Sequence, residues 1–398
     1  MTNDRAKGKF FLFAAAIGLG AIVLFFLLRT SPHSRAPSEE RLLEESPKRA
    51  AHKTPASTAA PNVSASAKSG EALGERALAK KRLERARHTL EGYLISTRYP
   101  YSSRPMSEHP DMIEPHNVAK TTLPLARKDK KLTDARVLLE QDRLYVVGEE
   151  AAKLTITCTT SDGPAPCEVL AATAHVAESM TNAPIIEPSP VNFMGDGVKS
   201  ALFAPAQQGF GGYHGPISID LDVRVDGEEG GARFEVIYTP APPARFTRVV
   251  REEMVNGSLY LHVQVEVDKP GRYVITARAS DTTGDKFAYL EFNEELGKGL
   301  QEAKLCIFGK LVHDEQAEAP FILRDIEGFL LKESHPDRET MVGFDGPYFT
   351  TKSYDSKEFS DAEWQSEEKT RHVEEFTKDV KAAEEAVRFQ EENAAKKP

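Results

Sequence analysis

The sequence predicts a mainly β chain: two consecutive antiparallel β-sandwiches behind one N-terminal transmembrane helix, with a linker and flanking amphipathic helices. Three observations lead there. Phe10 to Leu28 carries no charge and no hydrogen-bonding side chain. From about Ala135 apolar and polar residues alternate at period two, which puts the apolar set on one face of each strand. Short strand-like runs then recur between Gly, Pro and Asp turns, the pattern of a sandwich.

The apolar stretch reads FFLFAAAIGLGAIVLFFLL. At ~1.5 Å rise per residue it spans ~28 Å, close to the hydrocarbon thickness of a bilayer. Only a helix satisfies its own backbone groups in lipid. A cleaved signal peptide has a shorter apolar core with small residues at the cut, whereas here the exit reads LLRTSPHSRAP. A soluble amphipathic helix would keep a polar face, and this one has none. Arg5, Lys7 and Lys9 precede the span and Arg29, Arg35 and Arg41 follow it, so flanking cations do not orient it. A short leading tail normally stays inside. The expectation is a single-pass protein with residues 1–28 as cytoplasmic tail and span, the bilayer partner being residues 10–28. The bulk of the chain is then periplasmic or extracellular.

The formal net charge is −10, and residues 1–28 are basic by Arg5, Lys7 and Lys9 against Asp4. The exported part is therefore still more acidic, which argues against nucleic acid or an anionic lipid surface as partner. Residues 29–70 form a linker. From Thr30 to Gly70, 25 of 41 residues are Ala, Ser, Pro, Thr or Gly and none is aromatic. Such a segment buries too little apolar area to order itself. As a coil it would hold the next element ~35 Å from the membrane.

Residues 71–97 predict a helix. Ala79, Leu83, Ala86, Leu90 and Tyr93 form one stripe, and Arg76, Lys80, Lys81, Arg82, Arg85 and Arg87 make the remainder basic. Without Trp or Phe in the stripe, protein contact is favoured over membrane contact. Residues 98–134 predict an extended Pro-rich strap, with Tyr99, Tyr101 and Met112 packed on the domain that follows. His109, Asp111, Glu114 and His116 lie in it, but their spacing matches no metal pattern.

Residues 135–242 predict the first sandwich and residues 243–333 the second. In the first, Ile217, Ile219, Leu221, Val223 and Val225 alternate with Ser218, Asp220, Asp222 and Arg224. In the second, Leu259 to Val267 alternates likewise, with His262 facing outward. Cys158 and Cys167 flank an eight-residue loop between two strand-like runs. In an oxidising compartment they would bridge the hairpin, with ~2.7 kcal/mol of loop entropy; otherwise both are reduced thiols. Cys306 sits in the apolar run LCIF and reads as core.

Residues 334–398 predict a strand and an acidic helix. Ser360 and Glu363 suit a capping box, with Phe359 and Trp364 at staple positions. Val373, Phe376, Val380, Ala383 and Val387 repeat at coiled-coil spacing. The two helices are opposite in charge, so those at 71–97 and 361–392 are expected either to pair, within one chain or between two, or to dock separately on a sandwich.

PGRYVITARASDTTGDKFA (Pro270 to Ala288) resembles the strand–turn–strand of bacterial immunoglobulin-like and fibronectin-like surface modules. The wider chain, with its RYPYSSRP strap, resembles bacterial membrane-anchored envelope proteins of the "choice-of-anchor" type. The resemblance implies immunoglobulin-like sandwiches and an envelope location. It implies no catalytic residue. The Cys–Trp–Cys pattern of antibody domains is absent, since the one tryptophan, Trp364, lies beyond both sandwiches.

No catalytic motif appears: there is no GxSxG, HExxH or P-loop. Ser366 and Lys369 match SxxK but sit on the exposed acidic helix, without the companion motifs. The glycine loop QGFGGYHG lacks a parallel βαβ context. Asp220, Asp222 and Asp226 share a face and could hold calcium, but alternating acids on a wet face more often serve solubility. No catalytic, cofactor-binding or metal residue is therefore expected, and no cofactor. The sequence reading is an envelope protein of structural or protein-interaction type with an unidentified envelope partner. The alternative is an envelope enzyme or carbohydrate-binding accessory module with a loop-built pocket.

Overall fold

The computed structural model describes residues 64–113, 118–126, 132–177 and 184–395. The expected span Phe10–Leu28 and the linker as far as residue 63 lie outside the described residues. Among the described residues no helix is long and apolar enough to cross a membrane.

The described residues begin with α1 (Ser64–Ser96), which starts inside the expected linker. Ala and Lys among residues 64–70 are good helix formers, so the helix propagates N-terminally past its apolar stripe. Then follow β1 (Ser103–Pro105), β2 (Ala119–Ala126), β3 (Leu132–Gln141), β4 (Tyr145–Val147), β5 (Ala152–Thr160), β6 (Gly163–Ala165), β7 (Cys167–Val176), β8 (Ser189–Pro190), β9 (Lys199–Phe203), β10 (Gly215–Val225) and β11 (Glu228–Thr239). The second half holds β12 (Ala244–Val255), β13 (Ser258–Val267), β14 (Gly271–Ser280), β15 (Lys286–Leu296), β16 (Gly299–Ile307), α2 (Gly309–Asp314), β17 (Ile322–Leu331), β18 (Arg338–Thr340), β19 (Phe344–Thr350) and α3 (Glu367–Ala395).

The fold is mainly antiparallel β. Strands of the first half order as β6-β5-β3-β2-β11-β10-β7-β8, with β9 on β5 and β4 beside β11. The β4–β11 pairing is parallel. β2 and β11 pair at Ala126 and Gly231, and the strands on either side of that junction enclose one core. Its centre holds Leu125, Ile156, Phe203, Phe210, Ile219 and Val236, all 0 % exposed. The arrangement is sandwich-like. It begins at Ala119, so β2 corrects the expected strap at 98–134. The prolines between Arg98 and Pro115 had made the whole stretch look like a connection, yet β2 pairs with β3 beyond them.

The second half is a sheet of six strands, β1-β15-β14-β17-β18 with β19 on β17, facing a three-stranded sheet β12-β13-β16. The core between them contains Leu261, Val263, Tyr273, Ile275, Leu290, Leu305, Phe321 and Leu323. This unit runs on to Thr350, beyond the expected end at 333, because β18 and β19 complete its larger sheet. Each fully buried aliphatic or aromatic side chain contributes roughly 1.5–3 kcal/mol before entropy costs. Two hairpins close on left-handed pairs: Asp226 and Gly227 at φ 47° and 83°, Asn256 and Gly257 at φ 50° and 72°. Such turns match strand twist and need residues that tolerate positive φ.

The strap behaves differently from the expectation. β1 pairs with β15, on the second β unit rather than the one next in sequence. Tyr99 packs on the second core and its hydroxyl donates to Asp314 at 2.7 Å. Tyr101 stays 64 % exposed. The Met112 carbonyl accepts from Arg278 at 2.9 Å.

α1 and α3 pair antiparallel within the chain. Tyr93 meets Phe376 edge-on, with centroids 5.2 Å apart. Arg87 reaches Glu384 at 2.7 Å, and Arg76 and Lys80 reach Glu391 at 3.3 Å each. α3 starts at Glu367, and its cap is Ser366, whose hydroxyl accepts from the Lys369 N–H at 3.0 Å. Ser360 and Glu363 therefore do not cap it. The capping box in the tail belongs instead to Asp355 and Glu358, on a short 3-10 turn.

Candidate functional site

The site is built on the outward face of the six-stranded sheet. In β14, Tyr273, Ile275 and Ala277 point to the core, so Val274, Thr276 and Arg278 point away. In β15 the core side takes Ala288, Leu290 and Phe292, leaving Tyr289, Glu291 and Asn293 outside. β17 contributes Glu327 and Phe329 to the same outer face. Strand order then makes rows. Thr276 is opposite Glu291 on one side and Glu327 on the other. Val274 lies between Asn293 and Phe329, and Phe329 is opposite Thr340. Neighbouring strands are ~4.8 Å apart, so Glu291 and Glu327 sit on Cα atoms roughly 10 Å apart with a threonine between.

The segment Asp142 to Glu150, from the first β unit, roofs this face. It supplies Asp142, Arg143, Leu144, Tyr145, Val147 and Glu150. Tyr101 of the strap closes one end, while Arg338, Met341 and Asp345 close the other. The enclosed volume is about 620 Å³. That is the usual range for a small-molecule or oligomer-segment site.

Arginines organise the aromatic walls. The Arg104 guanidinium lies 4.5 Å from the Tyr101 ring centroid and 4.9 Å from that of Tyr289. Arg338 lies 5.1 Å from the Tyr145 centroid and 4.5 Å from that of Phe329. Such stacks hold planar groups upright at the rim.

The charges of the site are met from within the protein. Glu291, 7 % exposed, accepts from Arg104 at 3.1 Å. Glu327 accepts from Arg278 at 2.9 Å and from the Thr276 hydroxyl at 3.3 Å. Asp142 accepts from the Lys153 N–H at 2.7 Å, and Glu150 from the Val147 N–H at 3.0 Å. Arg143 lies 3.7 Å from Asp142 and 3.5 Å from Glu150. Arg338 pairs with Asp337 at 2.9 Å, and its pKa is raised chiefly by that bond. Burial raises the Tyr289 and Tyr145 hydroxyls.

Beneath the floor sits a buried ionic group. Arg278, 2 % exposed, donates to the carbonyls of Met112 and Asp325. Asp325, 4 % exposed, lies 3.1 Å from Lys286 and accepts from the Gly346 N–H at 2.7 Å. Burial pushes its carboxyl up, but the Gly346 N–H and Lys286 outweigh that and leave it below the usual range. At the other end of the sheet Glu339, 6 % exposed, is held between Lys269 at 2.6 Å and Lys332 at 2.8 Å.

Tyr101 of the strap lines this cleft, whereas the described cysteines, histidines and acidic residues weighed as candidate sites lie elsewhere. Cys158 and Cys167 form a disulfide with Cα atoms 5.5 Å apart, joining β5 to β7. Cys306 is free and buried, and burial pushes its thiol up to about 12. Alkylation before and after reduction of the exported protein should label Cys158 and Cys167 only after reduction. Labelling of both without reductant would exclude the bridge. Asp220 bonds to His175 at 2.9 Å and to Arg233, and Asp226 lies in the turn that joins β10 to β11. His109 lies between two 3-10 turns and Asp111 on the second, while Glu114 and His116 lie outside the described residues. Among the described residues no group of three His, Cys, Asp or Glu side chains could hold a metal ion.

Two residues differ from their sequence reading. His262 does face outward from β13, but it is 5 % exposed, clamped 2.9 Å from Glu253 and 3.1 Å from Glu302. Lys369 is not on an exposed face. It is 3 % exposed, and its ammonium donates to the carbonyls of Thr97 and Trp364, both at 2.9 Å. It latches the base of the helix pair to the strap.

No protein-family pattern and no curated protein matches this chain. Among solved structures, a DUF4785 family protein from Legionella pneumophila aligns at 13 % identity over 55 % of this chain and 58 % of its own, with a TM-score of 0.39. E. coli alpha-2-macroglobulin aligns at 14 % identity over 52 % of this chain and 16 % of its own, with a TM-score of 0.18. Dimeric latent PorU from Porphyromonas gingivalis aligns at 11 % identity over 57 % and 28 %, with a TM-score of 0.16. The chain thus spans less than two-thirds of each of these proteins, and likeness at this level carries no argument about function.

Proposed function

We propose that this chain is a single-pass, membrane-anchored cell-envelope protein of binding type, with its N-terminus cytoplasmic and its β units outside. Those units are read as immunoglobulin-like modules. The cleft between them is the recognition surface, and it carries the reading. Its polar residues converge from three strands, a roof segment and a strap, while its aromatic rings line the rim. No reaction is assigned to it. Both row carboxylates, Glu291 and Glu327, are committed to guanidinium partners. An acid–base pair would need at least one of them turned to a substrate proton. The membrane anchor rests on the uncharged run from Phe10 to Leu28, and the disulfide fits an oxidising compartment.

Full-length protein should fractionate with membranes and stay there in carbonate and high salt. A reporter fused after Pro398 should be active only outside the cytoplasm. A mature chain starting beyond residue 30 would remove the anchor, and cytoplasmic reporter activity would reverse the topology. For the cleft, a photo-crosslinker at position 101 in living cells should form a discrete adduct. The same group at Leu202, exposed on the first β unit, should not. Equal labelling from both positions would count against a recognition surface at the cleft.

A further inference from the structure

Building on the cleft as recognition surface, we propose that its ligand is an uncharged saccharide, read by ring stacking and by hydroxyl bonds to the carboxylate–guanidinium row. The chemistry of the walls selects it in three steps. First, the charges are spent internally. Glu291 has Arg104, Glu327 has Arg278, Arg338 has Asp337, and Arg143 lies between Asp142 and Glu150. A strongly charged ligand would have to break one of these pairs and leave a buried partner uncompensated, which is costly.

Second, what the row still offers is mixed. Glu327 has only one carboxylate oxygen engaged and keeps acceptor capacity, while the Tyr289 hydroxyl and the Asn293 amide line the cleft beside it as donors. Side-by-side donors and acceptors suit groups that do both. Hydroxyls do, and vicinal diols present two at the spacing of a carboxylate or guanidinium fork. The ring faces of Tyr101, Tyr145 and Phe329 add apolar platforms for the C–H face of a pyranose, with Leu144 and Val147 behind them.

Third, the geometry disfavours an extended peptide. Peptides add to sheets through open main-chain groups at an edge. This cleft lies on a sheet face, whose main-chain groups are used within the sheet. The nearest edge strand, β18, has the Thr340 N–H donating to the Thr239 hydroxyl at 3.3 Å, and the following Met341 N–H to the Gly328 carbonyl at 2.8 Å. A chain of sugars needs none of these groups.

The test uses full-length protein in lipid nanodiscs free of glycolipid, because sugar-headed detergents would compete. Maltohexaose, cellohexaose, mannohexaose and chitohexaose are titrated by calorimetry. At least one should bind, and Tyr101→Ala, Tyr145→Ala and Phe329→Ala should each weaken it about tenfold. Tyr101 is exposed, so its truncation leaves the fold intact even if Phe329→Ala lowers the melting temperature. Absence of binding by all four sugars up to about 5 mM would overturn the proposal, as would binding indifferent to all three variants. A peptide adduct from the crosslinker at position 101, with no sugar bound, would overturn the saccharide and leave the cleft standing. Failure of both would remove the recognition surface itself.

Discussion

Arg278→Met lowers the stability of this protein by roughly 3 kcal/mol or more, the largest effect expected from one substitution near the cleft. The side chain is 2 % exposed and donates to three oxygens: the Met112 carbonyl at 2.9 Å, the Asp325 carbonyl at 3.0 Å and Glu327 at 2.9 Å. Methionine fills most of the space and supplies no donor. The two carbonyls are then buried without partners, and the strap loses its tie to β14. The Glu327 side chain is 36 % exposed, so it can turn to water. Glu327→Gln keeps an amide oxygen for Arg278 but removes its carboxylate partner, so it should cost less than Arg278→Met and more than loss of an exposed pair. Denaturant melts are the measurement: Arg278→Met should move the midpoint at unchanged slope. Equal midpoints for wild type and Arg278→Met would refute the account. An acid arm separates the neighbouring Asp325. Its folded pKa lies below the unfolded value, so its contribution is present above about pH 4 and is lost as pH falls through the folded value. Asp325→Asn should flatten that part of the acid profile. If the slope survives the substitution, other carboxylates such as Glu339 carry it.

Replacing Phe376 and Val380 together with Asp opens the helix pair and exposes α1 to protease between Arg82 and Arg87. Cleavage there should accelerate at least about tenfold, because local opening governs the rate when reclosing is fast. Phe376 packs on Tyr93, and the seam is otherwise made largely of half-buried Ala, Leu and Val, so two carboxylates remove its apolar contacts even with Arg82 and Arg85 beside position 376. The ion pairs of Arg87 with Glu384 and of Arg76 with Glu391 are exposed and cannot hold the helices alone. The β units should melt as before, since α3 joins them at its base through Lys369. An unchanged cleavage rate, with α3 shown by hydrogen exchange to be displaced, would mean α1 is held by something other than this seam.

How much of this was legible in the sequence depends on the range of the interactions involved. The core faces of β10 and β13 were readable, because Ile217 to Val225 and Leu259 to Val267 alternate at period two and each apolar residue so marked is buried. The stripes of α1 and α3 were readable for the same reason at the helical period, and their opposite charges matched them. β2 was missed because the prolines of Arg98 to Pro115 extended the strap reading over it, whereas its pairing with β3 is non-local. Lys369 was misread because helix charge patterns say which residues are polar and not what covers them.

The cleft shows where local reading stops. The sequence by itself determined that Pro270 to Ala288 runs strand, turn, strand, and it did not single out Thr276, Glu291 or Glu327. It also set the apolar run from Phe10 to Leu28, whose length and lack of charge are properties of a contiguous segment. Only the tertiary structure decided that β14 lies between β15 and β17, making those three side chains one row, and that Asp142 to Glu150 roofs it. Strand order and roof come from non-local pairing, in which each strand edge can accept several partners of equal local propensity. The choice is made by burial of the whole outer and inner faces together, and that energy is written in no single stretch of the chain.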